Sequence, residues 1–379
     1  MKTILILGGG VGGVVTANEL RKKIGKEHKI IVIDKEQKHV FAPSLLWLMV
    51  GLRKPEKISR ELNRLQRKGI EFVNGEIEKV NPYEKSVVVN GKTYIGDYMV
   101  ISLGTELVKP PELEAVGYSF YSLEGAQLFW EALQDFKGGK VAVLVSSMPF
   151  KCPAAPYEAA LLLSYYFEKK KLRDKVEVEL YSPEPGPMGV AGKELSAAVR
   201  ALVESKGIKY FPEHQYSTIN GNSLAFSNGT KADFGLLAYV PKHQCPKVIS
   251  DTDLVGESAW VQLKNRETME TDFQDVFAIG DITSIPLAVG KPLPKAGVFA
   301  HYQAEVVANN IGVAVNGKGD LKTFTGNGEC FIEIGQGKAG LARGNFYAEP
   351  MPKIKMYQPG FHWHAGKVLF EKDFLRRWF

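Results

Sequence analysis

The residues of this 379-residue chain best suited to chemistry are its three cysteines and one short glycine run. Three thiols are too few for a structural disulfide framework, so each is judged by its neighbours. Cys152 lies in Phe150-Lys151-Cys152-Pro153-Ala154-Ala155-Pro156-Tyr157-Glu158, just ahead of an apolar helical run whose first position is Pro156. The positive end of that helix and the Lys151 ammonium would favour a thiolate. Cys330 alternates with Ile332 and Ile334, the period of a strand that buries one face and holds a thiol rigidly. Cys245 follows Pro241-Lys242-His243-Gln244 and reads either as a loop thiol or as a participant in the same sulfur chemistry. A lone cysteine in a strand-to-helix loop is more often inert packing than a nucleophile, and residue type alone leaves both readings open. Glu158, in the first turn of that helix, reads as an acid serving the helix dipole rather than as a proton relay.

The glycine run is Gly8-Gly9-Gly10-Val11-Gly12-Gly13, between the apolar strand pattern Ile4–Leu7 and a helical pattern from Val14 to Lys23. In a G-x-G-x-x-G loop the first glycine (Gly8) makes the tight turn and the second (Gly10) lets a pyrophosphate approach. The third (Gly13) lets helix and strand pack closely, and the helix N-terminus faces the anion. A second apolar strand, Ile30–Ile33, ends in Asp34, placed to accept hydrogen bonds from the ribose hydroxyls of an adenosine. This pattern leaves NAD and FAD undecided. Two later segments, Tyr98–Leu103 followed by Gly104-Thr105, and Val276–Ile279 followed by Gly280-Asp281, are similar to signatures of flavoproteins with two dinucleotide-binding domains. That resemblance implies FAD, with Gly104 and Thr105 closing the first flavin segment and Asp281 binding its ribityl-phosphate part. The competing reading of Asp281 is a cap for the following helix.

Between these segments, strand and helix patterns alternate again: Lys140–Ser146, Pro156–Lys170, Val176–Tyr181, Lys193–Lys206 and Ile208–Phe211. The expected fold is therefore α/β, with two Rossmann-type doubly wound domains and a small C-terminal α+β region. The expected boundaries are 1–106 and 271–318 for a discontinuous FAD domain, 107–270 for the second domain and 319–379 for the remainder. The second domain has no glycine fingerprint after its first strand; Met148, Pro149, Phe150 and Pro153 stand there instead. This argues against a nicotinamide site.

The Phe150–Glu158 segment resembles the redox-cysteine segment of sulfide:quinone oxidoreductases and of the flavoprotein subunit of flavocytochrome c sulfide dehydrogenase. Pro241-Lys242-His243, Pro246-Lys247-Val248, Pro294-Lys295-Ala296-Gly297, Phe299–Asn310 and Gly328–Gly335 follow in the same order, so the likeness covers almost the whole chain. It implies that Cys152 and Cys330 form a disulfide or carry bridging sulfur, that sulfide or polysulfide is the electron donor, and that FAD passes electrons to a quinone. It also implies a role for Lys295 beside the flavin pyrimidine, where a cation stabilises the reduced ring. The pattern departs from many quinone-reducing members, because no cysteine stands near Gly104. The alternatives are a type II NADH dehydrogenase or NADH-linked disulfide reductase, and a flavoprotein subunit that serves a cytochrome partner or senses sulfur redox state.

Composition narrows the setting. With 45% hydrophobic and 24% charged residues the chain reads as globular. Its net charge of +6 is spread in mixed Lys/Glu stretches rather than gathered in a basic block, so no nucleic-acid partner is expected. No metal-ligand set is identified. No window offers about eighteen uninterrupted apolar residues, so the expected location is cytoplasmic, with any membrane contact peripheral, on the inner face of the cell membrane. Phe374, Leu375, Trp378 and Phe379, interleaved with Arg376 and Arg377, read as a tail that either lies in a lipid interface or packs on the protein.

Overall fold

The computed structural model describes residues 1–379. A first parallel sheet has the spatial order Val276–Ala278, Tyr98–Ile101, Thr3–Leu7, Lys29–Asp34, Glu71–Asn74. The central strand Thr3–Leu7 is almost wholly apolar because both faces of the sheet are covered. Ile4 and Ile6 face a core shared with the helices Val11–Arg21 and Gly297–Asn316, whereas Leu5 and Leu7 face one shared with Val87, Val89 and Trp260. The strand Val276–Ala278 completes the sheet begun at the N-terminus, pairing in parallel with Met99–Ile101.

A second parallel sheet runs Tyr118–Ser119, Leu236–Val240, Gly139–Val145, Val176–Tyr181, Lys209–Phe211. The helices Ala155–Lys169 and Lys193–Glu204 bury their apolar faces in the core on one side of it. The C-terminal region is a three-stranded antiparallel sheet, Asn327–Gly335, Lys338–Asn345 and Lys353–Gly360, followed by the helix Phe361–Arg377. The α/β architecture with two Rossmann-type sheets is thus the expected one. The opening helix starts at Val11 rather than Val14, directly after the glycine loop. The long helix Gly297–Asn316 stops where Gly317 takes a φ of +67°.

The tail resolves to packing. Phe374, Leu375 and Trp378 are buried in the first domain's core, and Asn18 Nδ2 donates to the Trp378 carbonyl at 3.2 Å. They recur at helical spacing because they form the inward stripe of the helix. The lipid-facing reading of Phe374, Leu375 and Trp378 is therefore corrected.

Candidate active site

The glycine loop has the geometry of a dinucleotide cradle. Gly8 has a φ of +104°, and a Cβ there would strike the Ser102 carbonyl. A Cβ on Gly13 would run into the Gly8 carbonyl, so helix and strand approach as closely as the third glycine of the motif requires. Gly10, by contrast, faces open space. Asp34 closes the loop from the second strand, taking the Gly9 N–H at 2.5 Å and the Glu36 N–H at 2.8 Å. Burial pushes its carboxyl up, and the two N–H donors oppose that. His39, which sequence reasoning missed, supports the loop from below: buried, it places Nδ1 2.9 Å from the Gly9 carbonyl, and burial lowers it to about 4, so it is neutral at pH 7.

At the far end of the same groove stand polar atoms without protein partners. Asp281 is half-buried with its Oδ1 atom buried and unpaired, and Thr105 Oγ1 is buried and unpaired beside Gly104, which has a φ of +66°. A buried lone carboxylate oxygen is costly. This favours a ligand-facing role for Asp281 over a helix cap, since its segment, Gly280–Ile282, is a single tight turn. A small cavity here is lined by Asp281, Thr283, Lys295, Phe299 and Gln303. Open space at Gly10, an acid at Asp34 and unpaired polar atoms at Thr105 and Asp281 fit an extended dinucleotide such as FAD.

Lys295 is neither solvated nor free. Its Nζ donates to the carbonyls of Asp281 (2.6 Å) and Thr283 (2.9 Å) and lies 3.4 Å from the centre of the Trp260 ring. Burial lowers its pKa to about 8, against the pull of Asp281. Its carbonyl accepts the Cys152 N–H at 2.7 Å, which ties the cysteine loop to the first domain. Tyr121, also missed, holds the loop from the other side by donating to the Lys151 carbonyl at 2.9 Å. Cys152 itself adopts a φ of +52°, a left-handed conformation that an L-residue takes only when its surroundings enforce it.

Cys152 and Cys330 face one buried cluster between the cysteine helix and the strand Asn327–Gly335, close enough that charge on Cys152 raises the Cys330 thiol. Both are free thiols in this structure. Burial dominates: it pushes Cys152 up to about 12 and Cys330 up as well. The expectation of a thiolate favoured by Lys151 is corrected, because the cation that lowers both thiols is Lys367 of the C-terminal helix. Cys245 packs in a different core from the other two, beneath the first sheet with Ile249, Leu254 and Trp260, the ring that Lys295 covers; burial raises it to about 11, and Lys295 opposes that.

The dipole reading of Glu158 is also corrected. Glu158 is buried and paired with Lys367 at 2.8 Å, both side chains only 3% exposed, and it accepts the Glu333 N–H at 2.9 Å. Burial pushes its carboxyl up, and Lys367 is the main opposing influence. Lys367 is held in its charged form by Glu158 and Glu333 despite burial. The sequence signal for Lys367 is its place in the inward stripe: 367, 371, 374 and 378 recur at helical spacing, and all four are buried. Two partly buried thiols thus pack against the same core as a fully buried carboxylate–ammonium pair.

A sequence profile for the pyridine nucleotide-disulphide oxidoreductases matches residues 2–304. The chain is 30% identical to the sulfide-quinone reductase of Aquifex aeolicus, over 99% of this chain and 90% of that protein. The crystal structure of the sulfide:quinone oxidoreductase from Aquifex aeolicus superposes with a TM-score of 0.89 at 28% identity, covering 100% of this chain and 91% of that one. A type II NADH:quinone oxidoreductase of Haemophilus influenzae is more distant, 23% identical over 86% of this chain and 83% of that protein.

Proposed function

The chain belongs to the sulfide:quinone oxidoreductase family of FAD-dependent pyridine nucleotide-disulphide oxidoreductases, and on that premise we propose that it oxidises sulfide at a Cys152–Cys330 disulfide and delivers the electrons to a membrane quinone. FAD, when bound, supplies the two-electron acceptor between sulfur and quinone. Gly8, Gly10, Gly13 and Asp34 would hold its adenosine and pyrophosphate, and Gly104, Thr105, Asp281 and Lys295 its other half. The observation that carries this reading is that both cysteines pack against one core cluster, in which the helix bearing Cys152 and Glu158 meets the strand of Cys330, with Glu158 paired to the buried Lys367.

That placement suits disulfide chemistry better than thiolate chemistry. A disulfide is neutral and tolerates the burial that opposes thiolates here. Hydrosulfide attacks one sulfur of the bridge, so that one sulfur–sulfur bond forms as another breaks; one cysteine becomes a persulfide and the other leaves as a thiolate. The new negative charge falls beside Lys367, which offsets its desolvation. The tether from Cys152 N–H to the Lys295 carbonyl fixes which way the bridge faces. Cys245, in another core, takes no part in the first electron transfer.

The second domain supports the quinone reading over NADH oxidation. Residues 146–154 carry Pro149 and Pro153, which offer no N–H to a phosphate, where a second glycine fingerprint would stand. The quinone acceptor in turn ranks above a cytochrome, since the Aquifex relative is a sulfide-quinone reductase. No helix is long and apolar enough to cross a membrane. Contact with the membrane is peripheral, on its cytoplasmic face, through the outer face of the C-terminal helix. There Phe361 (65%), Leu369 (66%) and Phe370 (41%) are exposed ahead of Lys372 and Arg376.

Anaerobic titration of the purified protein tests the whole reading. Sulfide bleaches the flavin spectrum rapidly and NADH does not; Cys152→Ser and Cys330→Ser each abolish the bleaching, their combination is little worse, and Cys245→Ser is spared. Fast, saturable bleaching by NADH, or retained bleaching in Cys330→Ser, overturns it.

A further inference from the structure

The turn that carries Asp281 is pinned through three successive carbonyls. Lys295 Nζ donates to the Asp281 carbonyl at 2.6 Å and to the Thr283 carbonyl at 2.9 Å, and between them the Ile282 carbonyl accepts the Val261 N–H at 3.1 Å. Val261 follows Trp260, whose own carbonyl accepts the Gly256 N–H at 3.2 Å, so the backbone that binds the turn also brings the indole to it. Trp260 is 7% exposed, and its ring centre lies 3.4 Å from Lys295 Nζ. An ammonium has three donors; two go to carbonyls, and the negative face of the ring meets the charge from another side. None of these contacts is a carboxylate, and the Asp281 carboxylate faces the ammonium from beyond ion-pair distance, so the charge is held without being cancelled. Lys295 also lines the small cavity beside Asp281, and its carbonyl accepts the Cys152 N–H at 2.7 Å.

Packing alone does not call for a cation here, since burying an ion costs more than burying an apolar chain of the same volume. An anionic ligand does: negative charge that develops on a reduced flavin is stabilised by a cation already fixed beside it. Resting on the functional reading above, we propose that Trp260 is a positioning residue for the flavin site: its ring face fixes the Lys295 ammonium on the Asp281–Thr283 turn, where the uncancelled charge favours the reduced cofactor. Trp260 acts through Lys295 and not by filling the core that it shares with Cys245 and Ile249. Because the Lys295 backbone holds the Cys152 loop while its side chain holds the cofactor turn, one residue sets both ends of the first electron transfer, and Trp260 locks the side-chain end.

The test is the potential of the bound flavin, read by poising FAD-loaded protein against redox dyes near pH 7. Trp260→Leu removes the ring, Trp260→Phe keeps a weaker ring face, and tetrafluorotryptophan placed at position 260 keeps the shape of indole but not its negative face. Trp260→Leu and the fluorinated ring each lower the ratio of reduced to oxidised flavin at a given dye potential about tenfold, a fall of about 30 mV for a two-electron couple. Trp260→Phe recovers most of that loss. Lys295→Met lowers the ratio too, and adding Trp260→Leu to it lowers the ratio no further, since the ring works only through the cation. A fluorinated protein that matches wild type, or a Trp260→Leu effect that is the same with and without Lys295, means that the ring merely packs and overturns the proposal. If Trp260→Leu does not fold, the fluorinated ring decides alone. A wild-type ratio in Lys295→Met overturns the proposal together with the place of Lys295 beside the flavin. No sulfide enters these titrations, so failure of sulfide to bleach the wild-type protein sinks the sulfide reading separately from the tie between Trp260 and Lys295.

Discussion

Replacing Lys367 by Met strips the buried Glu158 of its counter-ion and measures how much the pair holds. At 2.8 Å and an effective dielectric of about 20, the attraction between the two charges is about 6 kcal/mol. It is set against a desolvation cost of several kcal/mol per ion. With both side chains 3% exposed, the loss of one partner should destabilise the protein by about 3–5 kcal/mol near neutral pH. The penalty has a pH signature. Burial already raises the Glu158 pKa, and without Lys367 its folded-state value rises further above the ordinary 4.5. A raised acid favours folding below its unfolded pKa and loses that advantage as pH climbs towards the folded value. The variant's deficit should therefore be small near pH 5 and largest near pH 8. Adding Glu158→Gln removes the stranded charge and should recover most of the deficit. Urea denaturation of the three proteins at both pH values provides the check. A deficit under about 1 kcal/mol, or one equal at both pH values, refutes the idea that Lys367 and Glu158 form a desolvated pair.

Two more outcomes follow from the same geometry. Asp281→Leu should leave the fold intact but lower FAD retained through gel filtration, since its buried Oδ1 has no protein partner to lose; full retention would show that Asp281 does not face the cofactor. Trp378→Ala should cost about 3–5 kcal/mol of stability, read by thermal unfolding, while liposome binding falls only when Phe361 and Leu369 are replaced by Ser; the reverse pattern would restore the tail to the membrane.

How much of this was legible in the sequence depended on whether a signal was local. The cradle was legible because Gly8, Gly10 and Gly13 act through their own backbone and their immediate strand and helix. Val176–Tyr181 came out with the expected bounds because Val176, Val178 and Leu180 alternate with Glu177 and Glu179, the period of a strand. Glu158 misled because its partner lies 209 positions away, and a first-turn acid beside no visible cation looks like a dipole ligand. The thiolate reading of Cys152 failed for a related reason: Lys151 is adjacent in sequence, but the cation that faces the sulfur belongs to the C-terminal helix. In that helix the inward stripe mixes Lys367 and Glu371 with Phe374 and Trp378. Hydrophobicity alone picks out only the aromatic half and leaves the ionic half looking like surface. Tyr121 and His39 act on backbone carbonyls, contacts for which a sequence carries no pattern.

The bond from Asn18 to the Trp378 carbonyl joins positions 360 residues apart. Lys68 makes a similar bond to the carbonyl of Arg377, at 2.7 Å. At a synthesis rate of about 5–20 residues per second, roughly twenty to seventy seconds separate the emergence of the first helix from that of the residues that cap its outer face. Throughout that interval the glycine loop can exist, but the core behind it is open. The strand Val276–Ala278 arrives late as well, so the first sheet has an unpaired edge for most of the time the chain is being made. The domain that is translated first is thus among the last to close. Its passage through the cell as a nascent chain depends on holding apart apolar surfaces that only the finished protein can bring together.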